Sequence, residues 1–452
     1  MKANTVPLIL FTLLASACAT QTYEPRPITP EDVEQAFRAR ALADAGLVEV
    51  ERWGLPELTQ AALRLHPDLD VARARWRATQ AAESTAGQKP NPTISGSGEH
   101  HSRAEGVSPW TWVLDITIPI ETHGKREARM EQAAALSEAA RLDIAVTAWQ
   151  IRSRLRQRML ELYSQQQQAA QLQREADARA QIVSILEARL AAGLVGGTDL
   201  SDARLQLQKA RTALAAESAR SAEARAALAG AVGLPESALA ETRLSFAEFE
   251  HDVYELPPED IQRTALLNRP EIRSALASYQ AAESRLKLEI ARQYPDIALT
   301  PGYSWDQGDN RWSLGLSLVL ALLNKNEGPI AEATAQRALE VQKFNAMQAA
   351  IIGEQGEAHA RLVAARQEIP KARKLVDAQN DRLAQTRRQF DAGYADRLEL
   401  TAAQLELLTA ESAVLSARLR MLHALGKLED AVQQPLDGSA PLPDAPEENT
   451  ES

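Results

Sequence analysis

The sequence predicts a mainly α fold with a small β part, internally duplicated, in which long antiparallel coiled-coil helices carry four membrane strands per chain. Three observations predict it. Apolar residues recur every seven positions through long stretches rich in Ala, Leu, Gln, Glu and Arg, the period of helices under-wound into left-handed coiled-coil packing. The same series returns 200 residues later in the chain. Short segments between the helices alternate apolar and polar residues with a period of two, the pattern of strands with one face in lipid. Composition agrees: 25% of the 452 residues are charged and only 4% aromatic, which suits extended helix packing better than a thick aromatic core. A net charge of −11 argues against nucleic acid as a partner, because phosphate binding needs a basic face.

The N-terminus reads as a signal peptide over residues 1–17. Met1-Lys2 gives a small positive start, and the apolar run 6–14 is too short to span a bilayer. Leu14-Ala15-Ser16-Ala17-Cys18 follows, and its end resembles a lipoprotein lipobox in which Cys18 is lipidated. Ala15 departs from the usual Leu, and Ala15-Ser16-Ala17 also reads as an ordinary cleavage site. Ala19, rather than Asp, follows the cysteine, which resembles lipoproteins sorted to the outer membrane. Cys18 is the only cysteine, so no intrachain disulfide can form. Past it, no segment has the ~20 uninterrupted apolar residues of a transmembrane helix, so any crossing of a membrane falls to strands. Residues 18–55 are expected as an N-terminal periplasmic extension.

Two repeats follow, 56–233 and 259–434, separated by a Pro-broken segment 234–258. Leu162, Ala169, Ala176, Val183 and Leu190 match Leu362, Ile369, Val376, Leu383 and Phe390. Leu200, Leu207, Leu214 and Leu228 match Leu400, Leu407, Val414 and Leu428. Each repeat predicts a helix (56–89, 259–293), two strands, a long helix (125–192, 327–392), a Gly turn and a shorter helix (198–232, 396–434). At 1.5 Å per residue the long helices reach on the order of 100 Å. Pro370 is expected to kink or loosen the second one. The tail 435–452 is Pro- and acid-rich and reads as disordered.

Trp110, Trp112, Leu114, Ile116 and Ile118 alternate with Thr111, Val113, Asp115 and Thr117. Tyr303 and Trp305 end one later strand, and Trp312 opens the next. Trp110, Trp112, Tyr303, Trp305 and Trp312 fit an aromatic girdle at a lipid interface. Four strands cannot close a barrel and open edges are not tolerated in lipid, so several chains must pool them. A trimer satisfies closure, although periodicity alone does not fix three. His100-His101 and His123 do not form a metal set: adjacent strand residues face opposite ways, and no Cys or carboxylate cluster completes a shell.

The order of these elements resembles the TolC-type outer membrane factors over essentially the whole mature chain. The residues that carry the resemblance are Arg189-Leu190-Ala191-Ala192-Gly193 leading to Thr198-Asp199-Leu200, Phe390-Asp391-Ala392-Gly393 leading to Leu398-Glu399-Leu400, and the post-strand segments at Gly124-Lys125-Arg126 and Asn324-Lys325-Asn326-Glu327-Gly328. The resemblance implies a homotrimer with a 12-stranded β-barrel in outer-membrane lipid and an α-barrel in the periplasm. Hairpin tips at Arg189, Leu190, Gly193, Thr198, Asp199, Phe390, Gly393 and Leu398 would meet a periplasmic adaptor protein coupled to an inner-membrane RND pump. Asp199, Asp202, Asp396 and Glu399 would ring the periplasmic aperture, with Ala402 standing where a second Asp is common. Each tip Gly supplies a helix stop, and Thr198, Asp199 or Asp396 can cap the next helix. The Asn324 to Gly328 segment looks most like the CzcC-type branch, which serves heavy-metal cation exporters.

No Walker loop, GxSxG, HExxH or Cys-based set is present, so the sequence points to a conduit rather than an enzyme, with no cofactor. The alternatives are the same architecture in drug export or type I protein secretion, and a periplasmic coiled-coil tether without a pore.

Overall fold

The computed structural model describes residues 22–47, 50–103, 107–250 and 269–436. The signal peptide, Cys18, the expected helix start at Glu259 and the tail from 437 lie outside the described residues. The chain divides after Arg40 into two units. In the first, α1 (Pro30–Arg38) is capped by Thr29, whose side chain accepts the Asp32 amide.

In the second unit a single helix over 56–89 is not what forms. It is split into α2 (Leu55–Leu65) and α3 (Pro67–Ala86). The cause is local: a residue before proline is driven out of helical backbone, and His66 sits at φ −75°, ψ 124° with its Nδ1 accepting the Asp68 amide at 3.1 Å. Strands β1 (Thr93–His100) and β2 (Trp110–Ile120) follow, then α4 (Lys125–Ala191) and α5 (Gly197–Val232). Among the described residues, the second repeat begins with α6 (Pro270–Ala291), preceded by Arg269 in the same extended pre-proline state at ψ 132°. It continues through β3 (Ile297–Asp306), β4 (Asp309–Leu318), α7 (Glu327–Asp391) and α8 (Arg397–Val432). The duplication extends to the backbone stops: left-handed residues fall at Gly124 and Asn326, at Gly193 and Gly393, and at Gly233 and Gln433. Helix α7 continues through Pro370, whose missing N–H removes one hydrogen bond from the ladder.

Side by side, the helices form a layer. Helix α4 packs against α2, α3 and α5 on one flank and against α6 and α8 on the other, while α7 packs against α6 and α8. Ion pairs fix the antiparallel register of α8 between the long helices: Arg174–Glu411 at 3.1 Å toward α4, and Arg420–Glu368 at 2.7 Å toward α7. The core lies at mid-length, where Leu155, Met159 and Leu162 of α4 meet Leu228, Phe249, Leu422 and Leu425. Full burial of each such side chain stabilises by about 1.5–3 kcal/mol. Inside this layer Glu429, almost wholly buried, receives both Arg156 (2.9 Å) and Arg152 (3.4 Å). Helix α7 stands at the layer's end, and Leu339, Ile352 and Leu375 along it are exposed.

Candidate functional site

The sheet is the first element of the site. Its order is β1-β2-β3-β4, antiparallel throughout, with Gln307 and Gly308 at positive φ making the tight β3–β4 turn. Register sorts the side chains onto two faces, because residues paired across strands share a face. One face carries Ile94, Trp110, Trp112, Leu114, Ile116, Ile118, Leu299, Tyr303, Trp305, Trp312, Leu314, Leu316 and Leu318. The other carries Ser95, Thr111, Asp115, Thr117, Thr300, Gly302, Ser304, Arg311 and Ser313. The apolar face is uncovered: Trp112 is 54% exposed and Trp312 82%.

The five sequence-predicted interface aromatics come together at the loop end of this face. Trp110 stacks on Trp112 at 5.5 Å, Tyr303 meets Trp312 at 5.0 Å, and Trp112 pairs with Trp305. Gly98 makes room for them, since a Cβ there would lie 2.6 Å from the Trp112 ring. The histidines separate, as alternation requires. His100 lies edge-on to Trp110, His101 Nε2 contacts Thr111 Oγ1 at 3.0 Å, and His123 stacks on Tyr294.

At the other end the strands join the helices through a lock that periodicity does not announce. Lys125, the first residue of α4 and buried, donates to the Tyr294 carbonyl and to Asp296 Oδ1, both at 2.7 Å. Burial opposes ionisation of Asp296, yet Lys125 and the Thr122 amide hold its carboxyl below the usual range. In the second repeat Asn326, left-handed at φ 61°, donates through Nδ2 to the Glu289 carbonyl (2.8 Å) and to Glu289 Oε2 (2.9 Å). Asparagine is one of the few residues that enters this conformation readily, which explains an Asn where the first repeat has Gly124.

The helical tips form the third element. Gly193 (φ 71°) and Gly393 (φ 78°) each end a long helix in a Schellman turn, in which Leu194 N–H donates to Arg189 O at 2.9 Å and Tyr394 N–H to Gln389 O at 2.8 Å. Leu194 and Tyr394, which follow these glycines and are not among the expected docking residues, are the most exposed large hydrophobics of the tips, at 74% and 89%. The signal for them was positional: the residue after a C′ glycine commonly carries an apolar contact. The expected caps are corrected in part. Gly196 precedes α5 with no side-chain cap, so Thr198 and Asp199 lie within its first turn. Asp396 does cap α8, accepting the Glu399 amide at 2.9 Å while Glu399 Oε2 accepts the Asp396 amide at 3.0 Å.

The two tips touch. Arg189 Nη2 contacts Asp396 Oδ2 at 2.5 Å, and Leu398 packs into the cluster of Val183, Leu186, Leu200 and Leu207. The Arg189 guanidinium, followed by the Glu399 amide, holds the Asp396 carboxyl below the usual carboxylate range. Leu190 and Phe390 stay exposed on their helix ends. Asp202 stands in the second turn of α5 on its exposed side, and among the described residues no group of three metal-capable side chains converges. No described helix is long and apolar enough to cross a membrane.

Comparison with known proteins places this geometry. The chain is 26% identical over 291 residues, covering 62% of its own length and 67% of the relative, to the cobalt-zinc-cadmium resistance protein CzcC of Cupriavidus metallidurans. Its fold is similar to the outer-membrane channel OprN (TM-score 0.69, 18% identity, 93% of this chain and 100% of that one). It is also similar to the outer membrane protein VceC of Vibrio cholerae (TM-score 0.68, 21% identity, 84% and 95%). The family model described as outer membrane efflux protein matches residues 58–234 and 262–432, one stretch for each repeat. The chain therefore belongs to the outer membrane efflux protein family, whose members are channels and not enzymes.

Proposed function

We propose that three copies of this chain form the outer-membrane duct of a tripartite efflux system that exports divalent heavy-metal cations. One observation carries the reading: both layers of the chain are open at the same two ends. Strand β1 is a sheet edge continuous with α3 at one end of the helical layer. Strand β4 is the other edge and leads into α7 at the opposite end. An apolar sheet face with unpaired edges is stable in lipid only when neighbouring copies pair those edges. In such a closure β4 would meet β1 of the next copy antiparallel, giving about twelve strands. The polar face then lines an aqueous bore.

The tips support docking of a periplasmic adaptor. Leu190, Leu194, Phe390 and Tyr394 offer exposed apolar side chains beside Arg189, Thr198, Asp199 and Leu398, and an inner-membrane RND pump would supply the energy the duct lacks. Asp199, Asp202, Asp396 and Glu399 belong to the periplasmic mouth in this reading. Cys18 carries the lipid anchor. The name of the CzcC relative supports cobalt, zinc or cadmium as cargo.

The test is gene deletion followed by tolerance assays. Lower tolerance of zinc, cobalt or cadmium with unchanged drug tolerance is expected. Unchanged metal tolerance with loss of a secreted protein or of drug tolerance would reject the cargo. Loss of lipid labelling in Cys18→Ser is expected, and persistence of labelling would reject the anchor.

A further inference from the structure

Row by row across its polar face, the sheet holds mostly small or neutral side chains. One row, Ser95–Asp115–Gly302–Ser313, contains a single large charged group. The next row toward the helices is Thr93–Thr117–Thr300–Gly315, with no charge. Toward the loops, Arg311 is the only Arg or Lys on this face among the described residues, and it is paired with both Asp306 at 2.8 Å and Asp309 at 3.5 Å, while Glu99, opposite Thr111, adds a further exposed carboxylate at the strand end. Among the described residues, Asp115 faces no basic group on this side of the sheet. Its space is built in, because a Cβ on residue 302 would collide with the Asp115 carboxylate, and Ser313 Oγ lies on its other side. Glycine at 302 therefore lets a carboxylate lie over the middle of β3, just as Gly98 accommodates Trp112 on the opposite face.

We propose that Asp115 is a cation-selectivity residue at mid-height of the β-barrel bore: three copies at one height repel anions and concentrate divalent and monovalent cations. This rests on the channel reading above. A twelve-stranded barrel with strands ~4.7 Å apart and tilted by ~40° has a backbone radius of about 12 Å. An aspartate pointing inward carries its charge to about 8 Å from the axis. That distance is about one Debye length at physiological salt, so the field of all three carboxylates overlaps at the centre of the bore. A ring of uncompensated carboxylates that does not bind tightly meets what conduction needs: attraction strong enough to admit a cation, weak enough to release it.

The test uses the full-length trimer in planar bilayers under a KCl gradient, with reversal potential as the readout. Wild-type protein is expected to favour K⁺ over Cl⁻, and Asp115→Asn to reduce that preference by at least about two-fold with single-channel conductance retained. Moving the charge within the row, as Ser95→Asp in the Asp115→Asn background, is expected to restore selectivity. Raising the salt to about 1 M, where the Debye length is about 3 Å, should erase the difference between wild type and Asp115→Asn. An unchanged reversal potential in Asp115→Asn, or no recovery in the double variant, overturns the assignment while leaving the channel intact. Wild-type protein that carries no current overturns the channel reading itself, and this inference with it.

Discussion

Arg189, four residues before the glycine that ends the first long helix, bonds Asp396, the residue that caps the last helix, at 2.5 Å. One ion pair thus ties the tip of one repeat to the tip of the other. Both partners are partly exposed, so the bond is worth at most about 1 kcal/mol. That suits a latch better than a structural weld. Arg189→Ala and Asp396→Asn are expected to raise the open fraction of single channels without changing trimer stability. An unchanged open fraction in both variants would show that the latch has no gating role.

The same pair sets an acid dependence. Asp396 is held below the ordinary carboxylate range by Arg189, so its contribution is complete above about pH 4 and is lost as pH falls through the lowered value. Channel openings in wild type should rise only in that acid window, and Asp396→Asn should show no such rise. A rise centred near pH 6 would point to another group.

Gly193→Pro and Gly393→Pro address the tips from the backbone. Proline is confined to φ near −65°, whereas these residues sit at +71° and +78°. The turns should distort while the distant core is untouched. Trimers by heat-modified gel mobility should persist and export should fall; full export with either substitution would count against tip docking.

The core offers a stability test. Glu429 sits between Arg152 and Arg156, and a Cβ at Gly426 would collide with the Arg156 guanidinium. Glu429→Ala strands buried positive charge and is expected to destabilise by about 3–5 kcal/mol. Gly426→Ala should also lower the melting temperature, and Gly426→Ala combined with Arg156→Met should recover part of it. Melting unchanged by Glu429→Ala would show that water reaches this cluster.

Much of the architecture could be read from periodicity because that signal is repeated and long. The heptads, the paired glycines at 193 and 393, and the alternation through Trp112 and Leu316 each follow from helix or strand geometry alone. The break at His66 was missed because a pre-proline residue can also kink a continuous helix, and an apolar pattern running across it conceals the stop. Lys125–Asp296 and Arg189–Asp396 join residues 171 and 207 positions apart. Only the folded arrangement brings such partners together. Gly302 reads as a weak point in a strand until register places Asp115 above it.

Which face of β2 meets lipid decides whether the sheet closes as a barrel in the membrane, and a spin-label scan of residues 110–120 in bilayers tests this directly. Accessibility to oxygen should peak at the even positions, Trp112, Leu114, Ile116 and Ile118. Accessibility to a water-soluble nickel reagent should peak at the odd ones, Val113, Asp115 and Thr117, giving two profiles of period two in opposite phase. Profiles in phase with each other, or even positions reached by nickel and not by oxygen, would contradict a barrel in the membrane.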